Sequence, residues 1–128
     1  MSTSQPEIFI SYNWGKDRKN QRRVLRLKNY LEKHYNVPVW MDTNKILVGS
    51  KLGKEIETGI RGCKIFIMCV TAEYATRPNC EKEYTLAVTL GKPILPILFE
   101  NVSWPPPGLG FHFSDLIYAI ASQFIQKK

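Results

Sequence analysis

The sequence predicts one α/β domain in which a parallel sheet of about five strands carries helices on both faces. Two observations predict it. Short β-forming segments alternate with helical patterns along the chain, which is typical of parallel strands joined by crossover helices. Residues 63–70, CKIFIMCV, are nearly unbroken apolar, as expected for a strand covered on both faces. With 128 residues, 44% of them hydrophobic, the chain can bury a single core.

The first strand and the first helix are predicted near the start of the chain. Residues 7–12, EIFISY, are short, apolar and rich in β-forming residues, which is typical of a strand. A turn-like stretch, NWGKD, comes next. Four apolar residues then recur at helical spacing and predict a helix over about residues 17–34. These residues are Val24, Leu27, Leu31 and Tyr35.

The second strand is predicted over residues 37–41, VPVWM. Pro38 lies near its start and has no amide proton for a neighbouring strand, so we expect this strand at an edge of the sheet. A long loop with two glycines and two lysines follows over residues 42–53. A short helix is expected over about residues 54–61.

A loop over residues 71–79 leads from the apolar third strand into the third helix. Thr76 and Asn79 are both candidates for the N-cap of that helix, and Pro78 suits its first turn. Gly91 is expected to end the helix, because glycine accepts the left-handed conformation that follows many helix C-termini.

The last part of the chain predicts a fourth strand over residues 93–99, PILPILF, and then a Pro-rich loop, SWPPPGLG. The segment FSDLIYAIASQFIQ allows two interpretations. It fits one helix with three apolar residues on a stripe, or a short strand over residues 116–120 that runs into a helix. We favour the strand because a fifth strand completes the pattern. The stripe residues are Leu116, Ile120 and Phe124.

Charge limits the classes of partner. The formal net charge is +7, and eight of the 18 basic residues fall between Lys16 and Lys33. Such a cluster is typical either of a surface for nucleic acid or acidic membranes, or of the solvated face of one helix. Only one aromatic residue, Tyr30, lies among these charges, whereas a single-strand-binding surface would need several. We therefore interpret the cluster as a solvated helix face and expect no nucleic-acid partner.

The domain boundaries and the compartment are predicted from the termini and the cysteines. We expect residues 1–6 to be a tail and residues 7–128 to be one domain. The N-terminus has no apolar segment of a secretory signal, and no apolar run approaches the roughly 20 residues that span a bilayer. Three cysteines are an odd count, and Cys63 and Cys69 lie in an apolar run, as buried thiols do. We expect a cytoplasmic domain without membrane insertion.

Several classes of site are excluded by missing motifs. The sequence contains neither the G-x-x-x-x-G-K-[ST] of a P-loop nor the G-x-G-x-x-G of a dinucleotide-binding turn,. A phospho-receiver would need a cluster of acidic residues at the strand ends, and only Asp42 is suitably placed. His34 and His112 are isolated and the cysteines lack ligand spacing, so we expect no metal site.

The stretch PNCEKEY, residues 78–84, contains two candidate functional carboxylates. On the third helix, Glu83 borders the stripe that helical spacing predicts to be buried, whereas Glu81 points well away from it. The Glu83 side chain can therefore point into a crevice beside the helix, whereas Glu81 is expected to face water. Acidic residues in the first turns of a helix are also favoured by about 0.3–1 kcal/mol without any catalytic role. The predicted stripe contains Cys80, Tyr84, Ala87 and Val88.

The position of Glu83 in the predicted sheet makes it a site candidate. Ligands of open parallel sheets bind outside the carboxyl ends of the strands. Three predicted loops meet at that edge together with the start of the third helix. These loops cover residues 13–17, 42–53 and 71–79.

Four segments in this order resemble the TIR (Toll/interleukin-1 receptor) domain family. IFISY is similar to the first motif of the family, and VWMDTNKILVG to its second strand and BB loop. NCEKEY is similar to its Trp-Cys-x-x-Glu motif, and GKPILPIL to the strand that follows. The resemblance covers nearly the whole chain and implies the flavodoxin-like TIR fold. Two residues depart from the family: Asn79 stands where an aromatic residue is expected, and Asn13 where NAD+-cleaving members often have arginine.

The resemblance also implies a function. TIR domains are signalling modules of innate immunity and cell death that self-associate. Some cleave NAD+ at the nicotinamide–ribose bond, and some of those cyclise the ADP-ribose product. Their catalytic glutamate falls on Glu83, and the BB-loop Lys and Gly of the NAD+-cleaving animal members fall on Lys45 and Gly49. Their Trp-Pro loop falls on Trp104. The alternative is a non-catalytic TIR–TIR scaffold in innate immune signalling, because non-enzymatic members carry this glutamate too.

The residues expected to bind the substrate follow from its chemistry. Trp14 or Trp104 can stack on a base of NAD+, and Lys45 can meet the diphosphate. For both tryptophans, packing in the core is the alternative. NAD+ is here the substrate, and no cofactor is expected.

The loop over residues 42–53 is the expected self-association surface. It has an apolar tip, Ile46, Leu47 and Val48, flanked by lysines. An exposed apolar tip on a loop suggests a contact surface, and the resemblance implies that it docks onto a neighbouring TIR domain. The neighbour is a second copy or another TIR-domain protein. Alternatively, the tip folds back onto its own core.

Overall fold

The computed structural model of the protein describes residues 7–13, 19–41, 52–106, 109 and 119–120. Within these residues, nine elements follow one another. They are β1 (Ile8–Ser11), α1 (Lys19–Tyr35), β2 (Val39–Met41), α2 (Leu52–Gly62), β3 (Ile65–Val70), a 3₁₀ turn (Tyr74–Thr76), α3 (Pro78–Thr89), β4 (Ile94–Leu98) and β5 (Ala119–Ile120).

The five strands form one parallel sheet in the order β2-β1-β3-β4-β5. This is the strand order of flavodoxin-like proteins, so the predicted fold class is confirmed. The edge position of β2 is confirmed as well. The carbonyl of Pro38 still takes part, because it accepts hydrogen bonds from the amides of Glu7 and Ile8. A fifth strand is also confirmed, since Ala119 pairs with Ile97; residues 116–118 of the predicted segment lie outside the described residues.

Alternation along the strands divides the core into two layers. Ile10, Ile67 and Ile97 face one side, where the α1 residues Val24, Leu27 and Leu31 cover them. Phe9, Phe66, Met68 and Val70 face the other side, against residues of α2, the 3₁₀ turn and α3. The helices therefore cover both faces, as predicted for a parallel sheet.

The predicted apolar stripe of α1 is wrong at one position. Tyr35 is the last residue of the helix and is 60% exposed, because the layer of the sheet that α1 covers ends at Leu31. Asn20 is buried instead, and its side-chain oxygen accepts a hydrogen bond from Arg23.

The N-cap predicted for α3 is also wrong. Arg77 occupies that position with extended backbone and no side-chain capping bond. Thr76 lies in the 3₁₀ turn, where its hydroxyl donates back to the carbonyl of Glu73, and Asn79 lies within the helix. Pro78 begins the helix as predicted. Gly91 follows the helix with φ of 70°, which confirms its predicted role as a C′ residue.

No helix in the part of the chain that the structure describes is both long and apolar enough to cross a bilayer. The three cysteines are unpaired and buried. Burial raises the pKa of the Cys69 thiol well above its ordinary value, so this thiol stays neutral and behaves as a small apolar side chain.

Candidate active site at the carboxyl edge of the sheet

Ser11 is the polar residue that ends β1 on the α3 side of the sheet. Because side chains alternate along a strand, Ser11 shares a face with Phe9, which packs in the layer of α2 and α3,. The strand thus places a hydroxyl at its carboxyl end, directed towards α3. Ser11 is only 1% exposed.

Glu83 meets Ser11 from α3. The Ser11 hydroxyl donates a hydrogen bond to Glu83 Oε1 over 2.7 Å. Glu83 is half-buried and Glu81 is exposed, so the predicted orientations of the two carboxylates are confirmed. The stripe that sets these orientations is also in place, with Cys80, Tyr84 and Ala87 buried and Val88 half-buried. The catalytic role of Glu83 stays a prediction.

Tyr74 completes a chain of three side chains. It begins the 3₁₀ turn, is fully buried, and its hydroxyl lies 2.6 Å from Ser11 Oγ. A serine hydroxyl has a single proton. Since Ser11 gives that proton to the Glu83 carboxylate, the Tyr74 hydroxyl must be the donor to Ser11. The hydrogen bonds therefore run in one direction, from Tyr74 to Ser11 to Glu83.

Tyr74 and Cys80, which both interact with Glu83, are held neutral. Burial, and to a smaller degree the nearby Cys80 and Glu83, raise the pKa of the Tyr74 hydroxyl well above its ordinary value. Burial also raises the pKa of the Cys80 thiol, with Glu83 as the next cause and Arg77 acting in the opposite direction. Both groups keep their protons near neutral pH, so they neither compete with Glu83 for protons nor add negative charge beside it.

A second polar cluster ties the neighbouring loops together. Asn13 is buried, and its carbonyl oxygen accepts a hydrogen bond from the Thr71 hydroxyl. The Asn13 amide donates to Glu73 Oε1 over 3.4 Å, and Arg77 approaches the same oxygen at 3.3 Å. The Glu100 carboxylate accepts from the amide of Ala72. Asn13 thus connects the segments that follow β1 and β3.

The other predicted site residues have different outcomes. Trp104 is half-buried and packs against the layer of α2 and α3, which matches the packing alternative without testing its contact with a substrate. Asn79, where an aromatic residue was expected, is exposed. The remaining predicted residues lie outside the described residues: Trp14, Lys45, Gly49, Ile46, Leu47 and Val48.

Ser11 and Tyr74 are the site residues that sequence reasoning missed. The only signal in the sequence was a single polar residue near the end of an apolar strand, IFIS. Within the described ranges, no group of three or more His, Cys, Asp or Glu residues could hold a metal ion. What the arrangement offers chemically is one carboxylate, oriented by neutral donors, at the edge of the sheet where ligands bind.

Comparison with known proteins identifies the family of this arrangement. A family model described as the TIR domain matches residues 8–126. Among solved structures, the TIR domain of the Toll-related receptor TRR-2 from Hydra magnipapillata is similar, with a TM-score of 0.68 and 14% sequence identity. The match covers 90% of this chain and 83% of that one.

Two further solved structures share the fold. The TIR domains of the activated Roq1 resistosome, which directly recognises the pathogen effector XopQ, match with a TM-score of 0.60 at 18% identity, over 73% of this chain and 57% of that one. The CMP N-glycosidase BcmB from Clostridium botulinum matches with a TM-score of 0.62 at 21% identity, over 88% of this chain and 86% of that one. No curated protein matches the sequence.

Proposed function

The chain belongs to the TIR domain family, and we propose that it cleaves NAD+ at the nicotinamide–ribose bond, with Glu83 as the catalytic residue and self-association as the switch. The observation that carries the proposal is the half-buried Glu83 carboxylate, which accepts a 2.7 Å hydrogen bond from Ser11. A carboxylate at this edge of a parallel sheet lies where ligands of such sheets bind.

The chemistry suits a site with a single carboxylate. Nicotinamide leaves NAD+ as a neutral molecule, so no general acid has to protonate it. The ribose becomes oxocarbenium-like in the transition state, as a sugar does in glycoside hydrolysis. A carboxylate beside the ribose stabilises this positive charge and can accept a hydrogen bond from a ribose hydroxyl. Water then adds to the anomeric carbon of the ribose and loses a proton to give ADP-ribose, or a ring nitrogen of the adenine adds to that carbon and gives the cyclic product.

A similar fold supports the class of reaction. The Clostridium botulinum protein is a CMP N-glycosidase, so a domain of this architecture can host the cleavage of a bond between a ribose and a base. At 21% identity the likeness concerns the fold, and the choice between NAD+ and a nucleoside monophosphate has to be tested on this chain itself.

We assign the remaining substrate contacts to four residues. Trp14 and Trp104 stack on a base, Lys45 meets the diphosphate, and Gly49 lets the loop approach the substrate. Trp104 is half-buried beside the core, so a contact with substrate would add to its packing there.

Self-association is assigned to the apolar tip formed by Ile46, Leu47 and Val48. The TIR domains of the Roq1 resistosome belong to an assembly, which supports assembly as a property of this architecture. Asn79 is exposed and has no aromatic ring to cover that side of the site. A neighbouring copy would supply the missing cover and exclude water, and a dry site strengthens the effect of the carboxylate. The assembly of the Roq1 TIR domains equally supports the second candidate, a scaffold that assembles without catalysis.

The experiment that separates these candidates measures base release. Concentrated protein is incubated with NAD+ or with CMP, and free nicotinamide or cytosine is followed by NMR. We expect nicotinamide, a complete loss of its release in Glu83→Ala, and little change in Glu81→Ala, whose side chain is exposed on the same helix. Equal losses in the two variants contradict the assignment of Glu83. Release of neither base from protein whose assembly is confirmed by light scattering favours the scaffold.

A further inference from the structure

We infer that Ser11 and Tyr74 are positioning residues, which hold the Glu83 carboxylate ionised and fix its orientation towards the substrate. The kinetic part of this inference rests on the proposed function, whereas the effect on the carboxylate itself does not. Ser11 and Tyr74 touch no reacting atoms. They act through Glu83, by way of two successive hydrogen bonds.

Burial and geometry carry the inference. Tyr74 is 0% and Ser11 1% exposed, so water cannot replace either donor. The two bonds measure 2.6 and 2.7 Å, at the short end of the range for O–H···O bonds. A hydroxyl that itself accepts a hydrogen bond is a stronger donor, because chained hydrogen bonds polarise one another. The Tyr74 hydroxyl therefore strengthens the bond that Ser11 makes to Glu83.

The position of Tyr74 is fixed independently of Glu83. Its amide donates to the carbonyl of Thr71 over 3.1 Å, and its ring packs against Tyr84 with centroids 6.0 Å apart. Ser11 is held by its pairing with Met68 in the sheet. The donors thus belong to rigid elements, so the carboxylate is oriented before substrate arrives, and no reorganisation is needed in the transition state.

The surroundings of Glu83 make the effect measurable as a titration. Tyr74 and Cys80 are two titratable groups that interact electrostatically with Glu83, and both stay neutral because burial raises each pKa. Arg77 acts on Cys80 and is paired with the exposed Glu73. Glu73 is therefore a neighbouring carboxylate that has to be distinguished in the experiment.

The first experiment follows the protonation of Glu83 without any substrate. Protein with ¹³C-labelled glutamate is titrated by NMR, and the Glu83 signal is assigned by its loss in Glu83→Gln. We expect the midpoint to move upward by roughly one pH unit in Ser11→Ala, because a hydrogen bond to a charged group is lost. A smaller upward move is expected in Tyr74→Phe. Tyr84→Phe removes a hydroxyl from the same core layer and should leave the midpoint unchanged.

The second experiment measures kinetics on the same variants. Ser11→Ala should lower kcat by roughly 10- to 100-fold, by analogy with the loss of groups that orient metal ligands, with little change in KM. The acid limb of the pH–rate profile should move upward with the NMR midpoint. Ser11→Thr keeps the hydroxyl and should restore most of the activity. Glu73→Gln should not move the acid limb of the pH–rate profile.

The outcomes separate the two proposals. A shifted midpoint in Ser11→Ala without base release by the wild type supports the positioning role and contradicts the proposed function. Base release that depends on Glu83, together with an unchanged midpoint in both Ser11→Ala and Tyr74→Phe, overturns the positioning role. Melting curves are recorded for each variant. If Ser11→Ala does not fold, Tyr74→Phe alone decides, since it removes one oxygen atom and an unchanged midpoint again overturns the inference.

Discussion

Glu83 and Glu73 are two carboxylates at the same edge of the sheet, and they differ in what surrounds them. Glu83 is half-buried and accepts its hydrogen bond from Ser11, behind which lies the buried hydroxyl of Tyr74. The side chain of Glu73 is 57% exposed and shares one oxygen between the Asn13 amide and the exposed guanidinium of Arg77.

A charged partner alone does not give a carboxylate a strong electrostatic effect. Glu73 has such a partner in Arg77, but water and salt screen an exposed pair, which typically contributes about 0.2–1 kcal/mol. Glu83 accepts a hydrogen bond from the neutral hydroxyl of Ser11, and it is half-buried, in surroundings of lower dielectric constant where charges interact more strongly. There it can act on a developing positive charge. The surroundings of Glu83 therefore fit the catalytic role proposed for it, whereas those of Glu73 suit a carboxylate that ties two loops together.

The largest expected effect is on base release. Glu83→Gln should lower the rate by at least about 10³-fold, because the neutral amide cannot stabilise an oxocarbenium-like ribose. Glu73→Gln should change it by less than about threefold, since an exposed pair contributes little. Initial rates of nicotinamide release at equal protein concentration provide the measurement. A comparable loss in Glu73→Gln would remove the distinction between the two carboxylates.

The next effect concerns how completely a single copy shelters Glu83. If a neighbour has to close the side of the site near Asn79, the rate should rise with about the square of protein concentration while dimers are scarce. Specific activity is measured across dilutions, with and without a fused oligomerising tag. Flat specific activity from dilute monomer to assembled protein would mean that the site is complete in one copy.

A smaller effect is expected from the loop tip. Leu47→Asp places a charge on the apolar surface assigned to self-association, so the dissociation constant of the assembly should rise by roughly 10- to 100-fold. The melting temperature should hardly change. Sedimentation and thermal unfolding test both statements. A large drop in melting temperature would instead indicate that the tip packs onto its own core.

The smallest effect compares the stability of the two clusters. Tyr74→Phe leaves Ser11 without its buried donor and should lower the free energy of unfolding by about 1–2 kcal/mol. Arg77→Ala removes an exposed ion pair and should cost less than about 1 kcal/mol. Urea unfolding at low and high salt measures both. The stability loss in Arg77→Ala should shrink at high salt, and the loss in Tyr74→Phe should persist. Equal salt dependence of the two losses would mean that the two clusters are screened alike.

The fold and the orientation of Glu83 could be predicted because both depend on local periodicity. Alternating segments specify the parallel sheet, and helical spacing from Cys80 is enough to place Glu83 beside the buried stripe and Glu81 in water. The edge position of β2 followed from Pro38, the proline just before that strand. These inferences need only residues that are close together in the chain.

The chain of donors could not be predicted, because it joins distant residues. Ser11 and Glu83 are 72 positions apart and Ser11 and Tyr74 are 63 apart, so their contact depends on how α3 and the 3₁₀ turn pack over β1. The N-cap of α3 was missed for a related reason. Thr76 has the right chemistry, but its hydroxyl is already bonded within the preceding turn, and that turn is not visible in the sequence pattern.

A crystal structure of assembled Glu83→Gln with intact NAD+ would show whether Glu83 faces the ribose of a bound nucleotide, as we propose. We expect the nicotinamide ribose to lie against the side chain at position 83, within hydrogen-bonding distance, while Ser11 still bonds that side chain and Tyr74 still bonds Ser11. Nucleotide bound at another part of the surface, with its ribose out of reach of position 83, would mean that Glu83 does not act on the ribose.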